Sequence, residues 1–276
     1  MMQTFEWKWK SRDGLEMAAL GWAPEIPKAV VVLVHGHGEH INRYQHVAEA
    51  FVKAGYAMQA FDLRGHGKSA GQRGHTPSYE NLMDDIADFI DDAQKRYPGL
   101  AVFLYGHSMG GNQVINYALR SPHALKGVIA TGPWLRLAFD PPAAQVFMAK
   151  LLNSITPSVS ISSGLSQEAL SRDPQVVSKY AADPLVHDKI SFRLYTNMVT
   201  NGLAALERAA ELKIPMLLMH GSADKLTSAQ ASREFAQKAG KFVTLRIWDG
   251  FYHEIHNEPE KVEVIQTMID WMDKTL

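Results

Sequence analysis

The sequence predicts the α/β class: a doubly wound, mostly parallel sheet of about eight strands with helices on both faces and one helical insertion. Two observations predict it. Short, continuously apolar segments recur along the chain, most of them closing at or near a glycine, and amphipathic segments of helical period stand between them. A strand that is apolar on both faces has to be covered on both faces, which is the situation of a parallel strand between two helix layers. A third observation sets the insertion, because no such apolar segment occurs from residue 133 to residue 201.

The elements follow in order. Residues 4–11 (TFEWKWKS) and 15–24 (LEMAALGWAP) alternate or are rich in β-formers, and predict an antiparallel pair at the start. The apolar segments at 29–36, 56–62, 100–106, 126–132, 214–221 and 242–250 predict buried strands. Leu82, Ile86, Phe89, Ile90 and Ala93 share a helical face that Pro98 brings to an end. Val262, Ile265, Met268, Ile269 and Met272 repeat the pattern near the C-terminus, with Asn257 placed as a helix cap. The chain therefore divides into a first core segment, 1–132, an inserted helical cap, 133–201, and a second core segment, 202–276.

Composition narrows the function. With 276 residues, 46% hydrophobic and 21% charged, the chain is long enough to bury a large core. A formal net charge of -1 leaves no basic excess to displace phosphate counterions, so nucleic acid is not an expected partner. The absence of cysteine removes disulfides, thiolate metal sites and cysteine nucleophiles. The start, MMQTFEWKWKSRDG, has no apolar h-region, and no apolar run is long enough to span a bilayer. A soluble, cytoplasmic protein is the expectation; its oligomeric state is left open.

In open parallel sheets, ligands gather beyond the carboxyl ends of the strands. Gly106-His107-Ser108-Met109-Gly110 lies there, after the strand at 100–106 and before a helical segment, and matches G-x-S-x-G in its strand–turn–helix setting. The sharp turn forces the serine into an unfavourable backbone conformation that only small neighbours tolerate. In return the hydroxyl is presented at a helix N-terminus, where the Met109 N–H faces a developing oxyanion. A serine needs a base, and the base needs an orienting carboxylate. Asp224 follows the strand at 214–221 and His253 follows the strand at 242–250. Singly, a turn aspartate and a surface histidine are ordinary; in this order, after these strands, they predict acyl transfer through Ser108. The second oxyanion donor is expected from the N–H of His37, in the loop VHGHGEHINRY (34–44). The same loop resembles the H-x-H-x-D-H zinc motif of metallo-β-lactamase-type hydrolases, with glutamate in place of aspartate. The rest of the chain favours the serine chemistry, so no metal and no cofactor are expected, and these histidines are read as hydrogen-bonding support.

Six stretches carry a wider likeness: HGHGEHINRY (35–44), FDLRGHGKSAG (61–71), GHSMGG (106–111), LSRDPQVVSKYAADPL (170–185), HGSADKLTS (220–228) and YHEIHNE (252–258). Through them the chain resembles, over essentially its full length, α/β-hydrolases of the monoacylglycerol lipase and lysophospholipase group, which are also grouped with serine aminopeptidases. The resemblance implies the α/β-hydrolase fold, Ser108 as nucleophile, Asp224 as orienting acid and His253 as base, with an oxyanion hole from His37 and Met109. It implies that Glu39, Arg43, Tyr180 and His256 surround the glycerol head group, although Glu39 and Arg43 also suit an internal ion pair. Family members often carry a small apolar residue where His37 stands. Asp62, Arg64 and His66 read as loop-structuring residues.

The implied activity is hydrolysis of a small acyl ester, monoacylglycerol first, with lysophospholipase or general carboxylesterase as the alternative. A peptidase has only the breadth of the family behind it. A non-catalytic binding protein would carry a broken triad, and here all three positions are intact. In the cap, Val146, Phe147, Leu151 and Ile155 lie on overlapping helical faces. The preferred expectation is that they cover the core and line an acyl path; the other is that they touch a membrane surface transiently.

Overall fold

In the computed structural model, which describes residues 2–120 and 125–276, the chain opens with an antiparallel pair, β1 (Gln3–Lys10) and β2 (Glu16–Ala23). Then come β3 (Ala29–Val34), α1 (Gln45–Lys53), β4 (Tyr56–Phe61), α2 (Tyr79–Arg96), β5 (Ala101–His107), α3 (Met109–Arg120) and β6 (Gly127–Thr131). The stretch after β6 carries α4 (Ala143–Ile155), β7 (Ser160–Ser162), α5 (Pro174–Ala182), β8 (Lys189–Ser191) and α6 (Phe192–Glu207). The chain ends with β9 (Met216–Gly221), α7 (Ala229–Ala239), β10 (Val243–Trp248) and α8 (Lys261–Thr275).

Eight strands form one sheet in the order β1-β2-β4-β3-β5-β6-β9-β10. β2 runs antiparallel to β1 and to β4, and the remaining pairs are parallel. The predicted α/β-hydrolase architecture is the one observed. β3, in the interior of the sheet, has the sequence AVVVLV and is buried throughout. Its alternate side chains serve opposite layers: Val30, Val32 and Val34 join the core under α2, α3, α6 and α7, while Ala29, Val31 and Leu33 join the core under α1 and α8. β-Branched residues suit such a strand because they pack on both pleated faces.

Three details differ from expectation. The insertion contains a two-stranded antiparallel pair, β7 with β8, each of three residues and too short to leave a period in the sequence. The boundary expected at residue 201 falls inside α6, which continues to Glu207. Asn257 does not cap α8: the helix starts at Lys261, and the Asn257 amide donates to Glu254 Oε2 at 2.8 Å. Among the described residues, no helix is long and apolar enough to cross a membrane.

Candidate active site

Parallel strands deliver the relevant loops to one edge of the sheet. Ser108 stands between β5 and α3 with φ of 54°, the single non-glycine positive φ among the described residues. The turn closes because its neighbours are small. A Cβ on Gly110 would lie 2.0 Å from the Val34 carbonyl oxygen, and one on Gly106 would lie 2.4 Å from that of Gly110. The strained serine is locked by its own backbone, since its N–H donates to Thr131 O at 2.9 Å and its carbonyl accepts from the N–H groups of Asn112 and Trp134.

Ser108, His253 and Asp224 form an unbroken relay. The Asp224 carboxylate can only accept, so His253 Nδ1–H donates to Asp224 Oδ2 at 2.7 Å, leaving Nε2 to accept from Ser108 Oγ–H at 2.8 Å. Burial pushes the Asp224 carboxyl up, but the His253 charge and hydrogen bonds from His220 and His253 outweigh it and hold the group well below the usual carboxylate range. Burial lowers His253, and the charge and hydrogen bond of Asp224 reverse this, leaving the imidazole more basic than an ordinary histidine.

Asp224 is fixed by residues to which sequence reasoning assigned no role. His220, the buried histidine near the end of β9, donates from Nε2 to Asp224 Oδ2 at 3.0 Å while its Nδ1 accepts from Ser232 Oγ at 2.8 Å. The backbone N–H groups of Leu226 and Thr227 donate to Asp224 Oδ1 at 2.8 and 3.0 Å. The available signal was the polar residue inside MLLMHG, a strand otherwise apolar and wholly buried.

The loop after β3 faces the serine. A Cβ on Gly36 would come within 3.3 Å of Ser108 Cβ. His37 follows it on the wall of a 310 Å³ cavity that also exposes Ser108, His253, Glu39, Tyr180 and His187. Met109 is the first residue of α3, where helix N–H groups have no partner inside the helix. A neighbouring cavity of 420 Å³ lies among Met148, Ile161, Ile190, Phe192 and Tyr195, and the two share Trp134, Leu137, Ser163 and Leu165. These apolar lining residues carried no motif.

The four expected head-group residues do not all converge. Glu39 and Tyr180 stand on the wall of the catalytic cavity; Arg43 and His256 do not. Arg43 is committed to a buried ion pair, donating from Nη1 and Nη2 to the two Glu254 oxygens at 2.7 Å each and from Nη1 to Glu39. The Tyr180 ring lies over its guanidinium at 4.7 Å. Burial raises the Glu254 carboxyl, and Arg43 overrides that and brings it down to about 2, whereas burial leaves Glu39 raised. His256 is fully buried behind the cavity, stacked on Tyr44 at 4.9 Å and edge-on to His107 at 4.7 Å.

Nearby loop residues act as braces. Asp62 accepts from the N–H groups of Ile41 and Lys68, and Arg64 pairs with Asp85 and Asp13. Within HGHGEH, His35 donates from Nδ1 to Gly36 O and accepts the Leu63 N–H at Nε2. Among the described residues, no three histidine, aspartate or glutamate side chains are arranged to hold a metal ion.

The outer helix of the insertion corrects another expectation. Phe147, Leu151 and Ile155 of α4 are 65%, 42% and 66% exposed. Val146, Ala149 and Leu152 take the half-buried side, and Met148 reaches the apolar cavity. α4 is apolar around most of its circumference, so its spacing alone does not select the face that packs.

Residues 25–260 match the family described as serine aminopeptidase, S33. The chain is 36% identical over 254 residues to a monoacylglycerol lipase of Mycolicibacterium smegmatis, covering 91% of this chain and 90% of that protein. It is also 36% identical over 259 residues to an uncharacterized abhydrolase domain-containing protein of Dictyostelium discoideum, spanning 92% of this chain but only 27% of that longer protein. Among solved structures it is similar to the Paleococcus ferrophilus monoacylglycerol lipase, with 37% identity, 99% and 100% of the two chains covered and a TM-score of 0.86. The chain is thus a serine hydrolase of the α/β-hydrolase fold, a member of the serine aminopeptidase S33 family and of its monoacylglycerol lipase and esterase branch.

Proposed function

We propose that the protein is a monoacylglycerol lipase whose acyl-enzyme forms on Ser108. The observation that carries this reading is the complete Ser108–His253–Asp224 relay opening onto a cavity of mixed lining that lies beside a more apolar one. Ser108 Oγ attacks the ester carbonyl as His253 Nε2 takes its proton, and the N–H groups of His37 and Met109 receive the oxyanion. His253 then gives that proton to the leaving alcohol. Water enters, loses a proton to the same nitrogen, and releases the fatty acid. Asp224 stays ionised and stabilises the imidazolium.

The two-part cavity supports a substrate with a polar and an apolar end. The acyl chain occupies the space beside Met148, Ile190 and Tyr195; the alcohol lies toward Glu39 and Tyr180. Arg43 acts as a positioning residue behind Glu39. Residues 133–201 serve as the cap over this path, and the exposed Phe147, Leu151 and Ile155 support transient contact with a lipid surface.

The test is turnover of a long-chain 1-monoacylglycerol, followed by released glycerol and fatty acid, in wild type and Ser108→Ala. Loss of the nucleophile is expected to lower kcat by about 10⁴-fold or more. Retention of more than roughly a tenth of the activity by the variant, far outside that range, overturns the assignment.

A further inference from the structure

The carboxylate of Glu258 is completely buried and takes no part in the steps above. It lines neither the catalytic cavity nor its apolar neighbour. A charge held away from water needs donors around it, and here they come from two separate segments. Tyr252 N–H, one residue before His253, donates to Oε1 at 2.6 Å. Arg172, in the insertion between β7 and α5, donates to Oε2 from its backbone N–H at 3.2 Å and from Nε at 2.9 Å. Arg172 Nη2 also pairs with Glu260, and its guanidinium lies over the Phe251 ring at 4.6 Å. The tie continues along the backbone. Glu254 N–H donates to Leu170 O at 2.7 Å, His253 N–H to Ala169 O at 3.4 Å, and Ser171 Oγ–H to Asn257 O at 3.0 Å.

We propose that Glu258 is a positioning residue for the reaction: its carboxylate fastens the backbone before His253 to Arg172, so that the seated insertion holds the imidazole at Ser108. This rests on the reading of Ser108 and His253 as nucleophile and base. On the core side the loop is held at Phe251, whose carbonyl accepts the Ala223 N–H at 3.0 Å. From Tyr252 to Glu254, each N–H donates instead to Glu258 or to the insertion. The contact of 2.8 Å between His253 Nε2 and Ser108 Oγ leaves little tolerance, because a displacement of about 1 Å costs about 10²-fold in rate. The same piece of the insertion reaches the substrate space and the orienting acid. Leu170 lines the catalytic cavity and packs with Leu226, whose N–H donates to Asp224 Oδ1. The insertion therefore braces the loops of both the base and the acid, with Glu258 as the fastening on the base side.

The experiment measures kcat and KM for a long-chain 1-monoacylglycerol and for 1-monoacetylglycerol in wild type, Glu258→Ala, Arg172→Ala and Arg172→Lys. Sites are titrated to completion with a fluorophosphonate, so that a merely structural loss lowers the number of sites and leaves kcat per site in place. Acylation and deacylation both use His253, so a displaced imidazole lowers kcat and spares KM. We expect kcat per site to fall about 10²-fold in Glu258→Ala and about 10-fold in Arg172→Ala, and to stay within about 3-fold of wild type in Arg172→Lys. KM should stay within about 3-fold throughout, and both esters should be affected alike. An unchanged kcat per site in Glu258→Ala overturns the proposal. So does a raised KM at unchanged kcat, an equal fall in Arg172→Lys and Arg172→Ala, or a fall confined to the long-chain ester. Should Glu258→Ala yield no titratable sites, the two Arg172 variants decide on the same terms. If wild type is active and these outcomes fail, only the role of Glu258 fails; if wild type hydrolyses neither ester, the reading of the site fails with it.

Discussion

At the residue scale, function depends on how Asp224 sets the basicity of His253. The carboxylate lies 2.7 Å from Nδ1 and raises the imidazole above its ordinary value of 6.5 despite complete burial. A base must be neutral to accept a proton, so kcat/KM is expected to fall as pH drops through a midpoint above 6.5, read from a pH–rate profile. Asp224→Asn removes both the charge and the correct tautomer. We expect it to lower kcat by about 10⁴-fold and to move the acid limb of the residual activity to lower pH. A limb that stays in place would mean that Asp224 does not govern the titrating group.

At the element scale, α4 both borders a cavity and meets solvent. Met148 borders the apolar cavity while being 46% exposed itself, and Phe147 and Leu151 are exposed and line neither cavity. Each buried methylene contributes about 0.8 kcal/mol, and a charge placed against an acyl chain opposes it further. Met148→Lys is therefore expected to reduce kcat/KM for long-chain esters about 10-fold more than for acetyl esters, measured on monomeric substrate. The double variant Phe147→Ser, Leu151→Ser should leave monomeric substrates alone and weaken binding to lipid vesicles about 10-fold, because only the apolar area offered to an interface has changed. Equal loss on both kinds of substrate would place these side chains in the acyl path after all.

At the scale of the whole molecule, the site is assembled across most of the chain length. Arg43, in the 3-10 turn Ile41–Tyr44 between β3 and α1, is tied to Glu254, in the loop between β10 and α8, by two hydrogen bonds of 2.7 Å. Removing one partner of a buried pair strands the other charge, at a cost of about 3–5 kcal/mol. Arg43→Ala should lower Tm by roughly 10 °C in a calorimetric scan. The pair also shapes acid stability. Glu254 is held at about 2 against an ordinary 4.5, so its contribution is complete above 4.5 and is lost as pH falls from there toward 2. In Arg43→Ala that part of the acid-unfolding curve should flatten. An unchanged slope would show that Glu254 is not the carboxylate being titrated.

The sequence by itself determined what local pattern can encode. Runs such as AVVVLV, recurring between amphipathic segments, read as interior strands, G-x-S-x-G in front of a helical segment reads as a strained turn, and Asp224 and His253 follow strands that end on the same side of the sheet. The sheet and the three relay residues were legible for that reason. Only the tertiary structure decided which polar residues reach the cavity. His256, three positions after the relay histidine, is stacked on Tyr44 and stays off the cavity wall; Glu39 reaches the wall while Arg43 is consumed by Glu254. It also decided which side of α4 turns outward and that His220 steadies Asp224. Strand and helix periods are properties of a few neighbouring residues. Convergence of side chains from segments as far apart as Glu39 and Glu254 depends on sheet order, strand register and the direction in which each loop leaves its strand, and none of these is written in any single stretch of the chain.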